Sequence, residues 1–250
     1  MTHEERMKLL VDDAYPLSAK YDPAWMFEHK MGGPCLWLAE SLSRLMALEP
    51  GMRVLDLGCG TALTSIFLAK EFGVTVFATD LWVGASDNWK RVCAAEAQNL
   101  VFPIHAEVHH LPYANGFFDA IVCINSFQFY GNSQFFLGEY IAPLLRTDGQ
   151  FGMVFFGPDK EFDDTAPGHM EAGWWPDFYY FHSLGWMRRH FEQTRLFAVE
   201  AGDDLAGDGR RVSSIWAQVM EKAEMDQLGI MRWNRMVARR NQFQVDDFRV

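Results

Sequence analysis

Basic residues are in short supply in this chain. Lysine and arginine number 22 against 33 aspartates and glutamates, a formal net charge of −11. A protein that grips nucleic acid needs a basic face to meet the phosphates, so that partner is excluded. An anionic membrane surface is disfavoured on the same ground. Cysteine is also scarce. The four present, Cys35, Cys59, Cys93 and Cys123, show no Cys-x-x-Cys spacing. Neither a zinc site nor a disulfide framework follows from them, and they read as small buried hydrophobes. Long apolar runs are missing too: none approaches the ~20 residues needed to span a bilayer. Met1 to Lys8 is polar and charged rather than a signal peptide, so a cytoplasmic protein is expected. There is no internal repeat and no low-complexity tract. What the chain does have is apolar and aromatic bulk. Its 250 residues are 49% hydrophobic and 15% aromatic, enough for one α/β domain with a small insertion.

One stretch organises the rest: Val54-Leu55-Asp56-Leu57-Gly58-Cys59-Gly60-Thr61-Ala62. Val54, Leu55 and Leu57 form the apolar run of a strand covered on both faces. Gly58 and Gly60 allow a sharp turn and a close approach of ligand to backbone. A helix over Leu63 to Phe72 follows and stops at Gly73. This is the opening of a nucleotide-binding α/β domain. A dinucleotide fingerprint places a third glycine where Leu63 stands, which disfavours a nicotinamide dehydrogenase. Asp56, just before the turn, suits a ligand with a positively charged amino-acid end better than a pyrophosphate.

The stretch resembles motif I, Asp-x-Gly-x-Gly, of the class I S-adenosylmethionine (SAM) dependent methyltransferases, with Ala62 at the family's third small residue. Further motifs fall in step. Val74 to Asp80 is a β-branched strand ending in an acid, and Asp80 lies 20 residues after Gly60. The resemblance implies that Asp80 accepts the ribose hydroxyls and that Leu81 and Trp82 pack on adenine. Val101 to Tyr113 is similar to the family's third strand and turn. It implies that Glu107 meets the adenine amino group and that Val108 offers its backbone N–H. The pair His109-His110 is a polar turn pair rather than a metal site, since adjacent strand residues point to opposite faces. Gly116 to Asn125 resembles the fourth strand, with Asn125 and Ser126 facing the methionine part and Cys59 in the glycine turn. Gln128 stands where many relatives carry a histidine.

The resemblance implies a Rossmann-like, doubly wound sheet of seven mostly parallel strands in the order 3-2-1-4-5-7-6, the last antiparallel, with helices on both faces. Residues 1–33 are an N-terminal arm, either an extension packed on the domain or a flap over the ligand. Residues 34–240 form the SAM-binding domain, with an aromatic-rich insertion at 157–182, and 241–250 are a polar tail. Helices are expected over 34–47, 87–98, 134–145 and 183–191. Strands are expected at 150–156, 194–200 and 212–220, and a closing helix over 221–240. The insertion follows a central strand on the ligand face, where loops carry substrate selection. Trp174, Trp175, Tyr179 and Tyr180, with Gln128, are therefore candidates for an acceptor pocket, against the alternative that they are core.

The implied chemistry is methyl transfer to a small-molecule acceptor. Candidate bases are His182, His169, His29 and Tyr130, none with a defining motif. An amine needs only to arrive unprotonated, whereas a hydroxyl or carbon usually needs a base, so nitrogen is slightly favoured as the acceptor atom. O- or C-methylation of a small aromatic or apolar metabolite stays open, as does a non-catalytic SAM-binding regulator. No metal is expected, and the oligomeric state is open.

Overall fold

The computed structural model describes residues 1–162, 180–221 and 231–242. Its strands are β1 (Arg53–Leu57), β2 (Thr75–Asp80), β3 (Val101–His105), β4 (Phe118–Ile124), β5 (Leu145–Pro158), β6 (Phe197–Asp203) and β7 (Met231–Arg240). They form one sheet in the order β3-β2-β1-β4-β5-β7-β6. The pairs from β3 to β5 are parallel, and β7 runs antiparallel to both neighbours. This is the expected topology. The chain leaves β1 for β2 on one side and later returns to β4 on the other. That reversal opens a crevice at the C-terminal ends of β1 and β4, the usual ligand position in such sheets.

Alternate residues of the strands feed separate cores. Val54, Ala120, Val122, Val154 and Val237 join one apolar cluster with the helices α3 (Cys35–Ser43), α4 (Leu63–Phe72) and α7 (Gly209–Val219). Leu55, Leu57, Ile121, Met153 and Met236 join the other, with Phe127, Phe136 and α6 (Leu184–Glu192). Both faces are covered, which is why the central strands read as continuous apolar runs. Asp56 shares the parity of Val54 and therefore points at α4, not along the strand towards the crevice.

Helix α4 has the expected bounds and ends at Gly73 in the left-handed conformation, φ +66°. Its first cap residue is Ala62, also left-handed at φ +61° and without a side-chain capping bond. Helix α5 (Ala85–Ala94) bridges β2 and β3. Helix α6 is capped by Ser183, whose hydroxyl accepts from the amide of Trp186.

The C-terminal part corrects the sequence reading. Residues 212–220 were expected as a strand, but 212–219 lie in helix α7 and Met220 caps it. Its buried Val212 and Val219 are one heptad apart, with Ile215 and Trp216 packed on the same core. The closing helix expected over 221–240 is instead strand β7 where it is described, and 222–230 lie outside the described residues. Buried Asn234 and Arg235 broke the apolar pattern there. Arg235 is satisfied by both carboxylate oxygens of Asp203 (2.7 and 3.0 Å) and by the Ser41 carbonyl (2.5 Å). The helix expected over 134–145 reduces to a π-helical turn at Leu137–Ile141.

The N-terminal arm carries α1 (His3–Lys8) and α2 (Pro23–Glu28). It is tied down by Tyr15, buried, stacked on Trp37 and donating to Asp208 at 3.0 Å. Ser18 donates to the buried Glu40, and the Trp216 indole donates to the Gly32 carbonyl at 2.9 Å.

Candidate active site

A cavity of about 600 Å³ opens where the crevice was expected. Its floor is the turn after β1. Gly58 and Gly60 adopt φ +74° and +55°, and a Cβ on Gly60 would sit 2.8 Å from the Met31 sulfur. A side chain at Gly58 would overlap Ser126. The bend is therefore bare because both backbone angle and space demand it.

The turn is held by its own amides. Gly58 and Cys59 donate to the Thr79 carbonyl at 2.9 and 3.0 Å. Gly60 donates to the Asp80 carboxylate at 2.8 Å. The second oxygen of Asp80 accepts from the amides of Trp82 and Val83 at 2.8 and 2.9 Å. Three N–H bonds fix this carboxylate on the cavity wall, leaving acceptor capacity for a hydroxyl. The neighbouring wall is apolar. Trp82 is 71% exposed and Leu81 52%, and Trp82 faces Phe129 with ring centroids 6.0 Å apart.

Asp56 does not line the cavity. It is fully buried, and one oxygen accepts from the hydroxyls of Thr64 and Ser65, both at 2.6 Å. The other oxygen is buried without a partner. Burial first, and Asp80 nearby, push its carboxyl up to about 6. The expectation of a direct grip on a ligand's ammonium does not fit this geometry; Asp56 secures the start of α4 beneath the turn.

Glu107 and Val108 do line the cavity, and Glu107 is also engaged by its own turn. It accepts from the His109 amide at 2.9 Å and meets the His109 and His110 rings at 2.6 and 3.0 Å. Asn125 lines the cavity with φ +56°, and its amide donates to the Val154 carbonyl at 2.7 Å. Gln128 lies behind it, buried and donating to the Asn125 carbonyl at 3.2 Å, outside the cavity wall.

Tyr130 is on the wall with its hydroxyl enclosed by the Leu57 carbonyl (3.2 Å), Ser126 (2.9 Å) and Cys123 (3.1 Å). Burial raises this phenol well above its ordinary value, so it stays protonated and is a poor base. His182 is outside the cavity. Its ring stacks on Trp186 at 3.7 Å and pairs with Glu161 at 2.7 Å. Tyr180 is half exposed and also off the wall. His169, Trp174, Trp175 and Tyr179 fall outside the described residues.

The arm supplies a wall of its own: His29, Met31 and Gly32 border the cavity, followed by Cys35 at the start of α3. The arm thus packs on the domain and also lines the cavity. Thr61, Thr79 and Phe129 also line it without having been singled out. Thr61 and Thr79 adjoin residues that were, and their side chains follow from strand parity and the turn. Among the described residues, no group of acids, histidines and cysteines is placed to hold a metal.

Residues 54–149 match the methyltransferase domain family. Over those residues the chain carries a methyltransferase domain. It is similar to methyltransferase GfsG of Streptomyces halstedii, 27% identical over 136 residues, covering 54% of this chain and 49% of that protein. It is also similar to the sarcosine/dimethylglycine N-methyltransferase of Halorhodospira halochloris, 28% identical over 149 residues, 56% and 51% of the two chains. The chain thus spans about half the length of these curated relatives. Among solved structures, geranyl diphosphate C-methyltransferase from Streptomyces coelicolor A3(2) shares the fold. Its TM-score is 0.66 at 17% identity, with 81% of this chain and 78% of that one covered.

Proposed function

We propose that the protein is an enzyme that moves a methyl group from SAM to a small-molecule acceptor, in the cytoplasm. The observation that carries this reading is the bare-backbone bend of Gly58 and Gly60, joined by a hydrogen bond to Asp80, on the wall of one cavity. The volume suits a ligand of nucleoside size. Bound there, SAM would supply an electrophilic methyl on a sulfonium. The chain's residues would hold and shield it. Asp80 offers acceptor capacity to the ribose hydroxyls, and Leu81 and Trp82 offer apolar surface to the adenine. Val108 flanks the same position, and Glu107, with one contact on Oε1 and two on Oε2, keeps acceptor capacity there as Asp80 does. Asn125 and the Gly58–Thr61 turn border the amino-acid end. Met31 and Phe129 add apolar wall that would displace water from a bound ligand, which would strengthen electrostatic interactions inside.

Nitrogen is the favoured acceptor atom. An amine that arrives neutral makes no demand for a base. That suits a wall where burial keeps Tyr130, Cys35 and Cys59 protonated, Cys35 being pushed up to about 11. The Halorhodospira relative is named as an N-methyltransferase, the Streptomyces coelicolor neighbour as a C-methyltransferase. The unpaired buried thiols Cys35, Cys59 and Cys123 agree with a reducing compartment. Calorimetric titration with SAM and, separately, with NAD tests the reading. Saturable one-site binding of SAM alone is expected; binding of NAD, or of neither, rejects it.

A further inference from the structure

The backbone of Gly60 is held at both of its polar groups by the next unit of the fold. Its amide donates to Asp80, at the end of β2, across 2.8 Å. Its carbonyl accepts from the side chain of Asn88, on α5, also across 2.8 Å. Asn88 is 1% exposed and lies off the cavity wall. A carboxamide buried this deeply is costly unless its groups are matched, and here they are. The Nδ2 group donates to Gly60, and Oδ1 accepts from the Arg91 guanidinium at 3.0 Å. Turning the carboxamide over would set its oxygen against the Gly60 carbonyl and its N–H groups against a cation. The partners therefore fix its orientation. The Cys59 thiol, a weak donor, approaches the same carbonyl at 3.7 Å.

These two bonds close a ring around a ligand-facing loop. Residues 81–84 run from the end of β2 to the start of α5, and both ends of that run are tied to Gly60. Leu81 and Trp82 of the loop line the cavity, and so do Gly58, Gly60 and Thr61 of the turn. The bonds from Gly58 and Cys59 to the Thr79 carbonyl fix the turn against β2. The bond from Asn88 fixes it against α5, on the far side of the loop. A trans peptide is planar, so holding the Gly60 carbonyl also sets the direction of the Thr61 N–H. A ligand that touches the turn and the loop together depends on their spacing, as any ligand gripped at two points does.

We propose that Asn88 is a positioning residue for the cofactor. Acting through Gly60, it holds the glycine turn and the 81–84 loop at the separation that one ligand needs to touch both. The inference rests on the reading that the cavity holds SAM. It places a determinant of cofactor affinity on α5, a helix with no residue among the described ones that line the cavity.

The test measures S-adenosylhomocysteine by calorimetry, and adenosine by competition against it, on the full chain. Asn88→Ala and Asn88→Asp both remove the donor to Gly60. The aspartate keeps the buried volume and an acceptor for Arg91, so it covers the case in which the alanine variant does not fold. Both variants are expected to bind S-adenosylhomocysteine about 10- to 100-fold more weakly, the range for a buried carbonyl deprived of its donor. Adenosine, which reaches the Asp80 side of the cavity without spanning to the turn, is expected to keep its affinity within about twofold. That retained affinity also reports a folded cavity. A merely structural Asn88 would weaken both ligands alike. Such a result, or S-adenosylhomocysteine bound with wild-type affinity by both variants, would overturn the proposal and leave the cofactor reading standing. A wild type that does not bind S-adenosylhomocysteine would remove the cofactor reading and this inference with it.

Discussion

The amide of Gly60 donates to the carboxylate of Asp80 across 2.8 Å, joining the turn after β1 to the tip of β2. The same carboxylate takes the amides of Trp82 and Val83. One side chain therefore sets the shape of two ligand-facing loops. Asp80→Ala leaves three amides without their acceptor, so both loops should loosen. Calorimetry with S-adenosylhomocysteine should show affinity reduced by about 10- to 100-fold. Unchanged affinity would separate Asp80 from the ligand.

The two glycines should not be equivalent. Gly60→Ala meets the end of the flexible Met31 side chain and retains a left-handed φ, so a loss of roughly 1 kcal/mol is expected. At Gly58 an added Cβ would lie 2.6 Å from the Ser126 Cβ, and Ser126 is pinned by donating to the Leu57 carbonyl at 2.8 Å. Gly58→Ala should therefore be the worse variant, by about 1–3 kcal/mol in urea unfolding. The reverse order would contradict the packing described.

Asp56 gives a pH signature. Its folded carboxyl is pushed up to about 6 by burial, against an ordinary 3.8. A group shifted this way favours folding in its protonated form. Its contribution is complete below pH 3.8 and is lost as pH rises to about 6. The loss is on the order of 3 kcal/mol. Asp56→Asn lacks the transition, so its stability relative to wild type should rise between pH 4 and pH 7. Parallel urea midpoints for the two proteins across this window would reject the assignment.

Tyr130→Phe removes a hydroxyl that contacts Leu57, Ser126 and Cys123 but, being held protonated, has no basic role. Stability should fall by about 1 kcal/mol. Turnover on the acceptor should stay within a few-fold, and a loss beyond about 100-fold would make the phenol part of the chemistry.

Arg235→Met tests the C-terminal strand. The guanidinium is 5% exposed, bidentate on Asp203 and bonded to Ser41, so it fastens β7 to β6 and α3. A loss of about 3 kcal/mol is expected in chemical unfolding. A change under about 0.5 kcal/mol, the size of an ordinary surface substitution, would mean the pair is dispensable.

The sequence was most legible where causes are local. Apolar residues, two glycines and a helix ending at Gly73 lie within a few turns of chain, and β1, the bend and α4 follow from them directly. The direction of Asp56 depends on which layer its strand face meets, and Thr64 and Ser65 were not weighed as partners. The C-terminal region failed for a related reason. Val212 to Met220 happens to alternate, while the burial of Val212, Ile215, Trp216 and Val219 follows a helical period. Strand β7 is covered on both faces and carries a buried arginine, so no alternation marks it. Its charge is neutralised by Asp203, a contact 32 residues away. The arm's place beside the ligand was one of two readings, but the contact that fixes it was not legible, because His29 meets Thr61 across 32 residues of chain.

β7 lies between β5 and β6 although it follows both in the chain. Until residues 231–240 have been synthesised, β5 and β6 each keep a row of unpaired backbone groups facing a gap. A nascent chain halted before residue 231 therefore displays open strand edges, the kind of surface that recruits other chains and chaperones. Among the described strands, β7 is the one that seals the sheet.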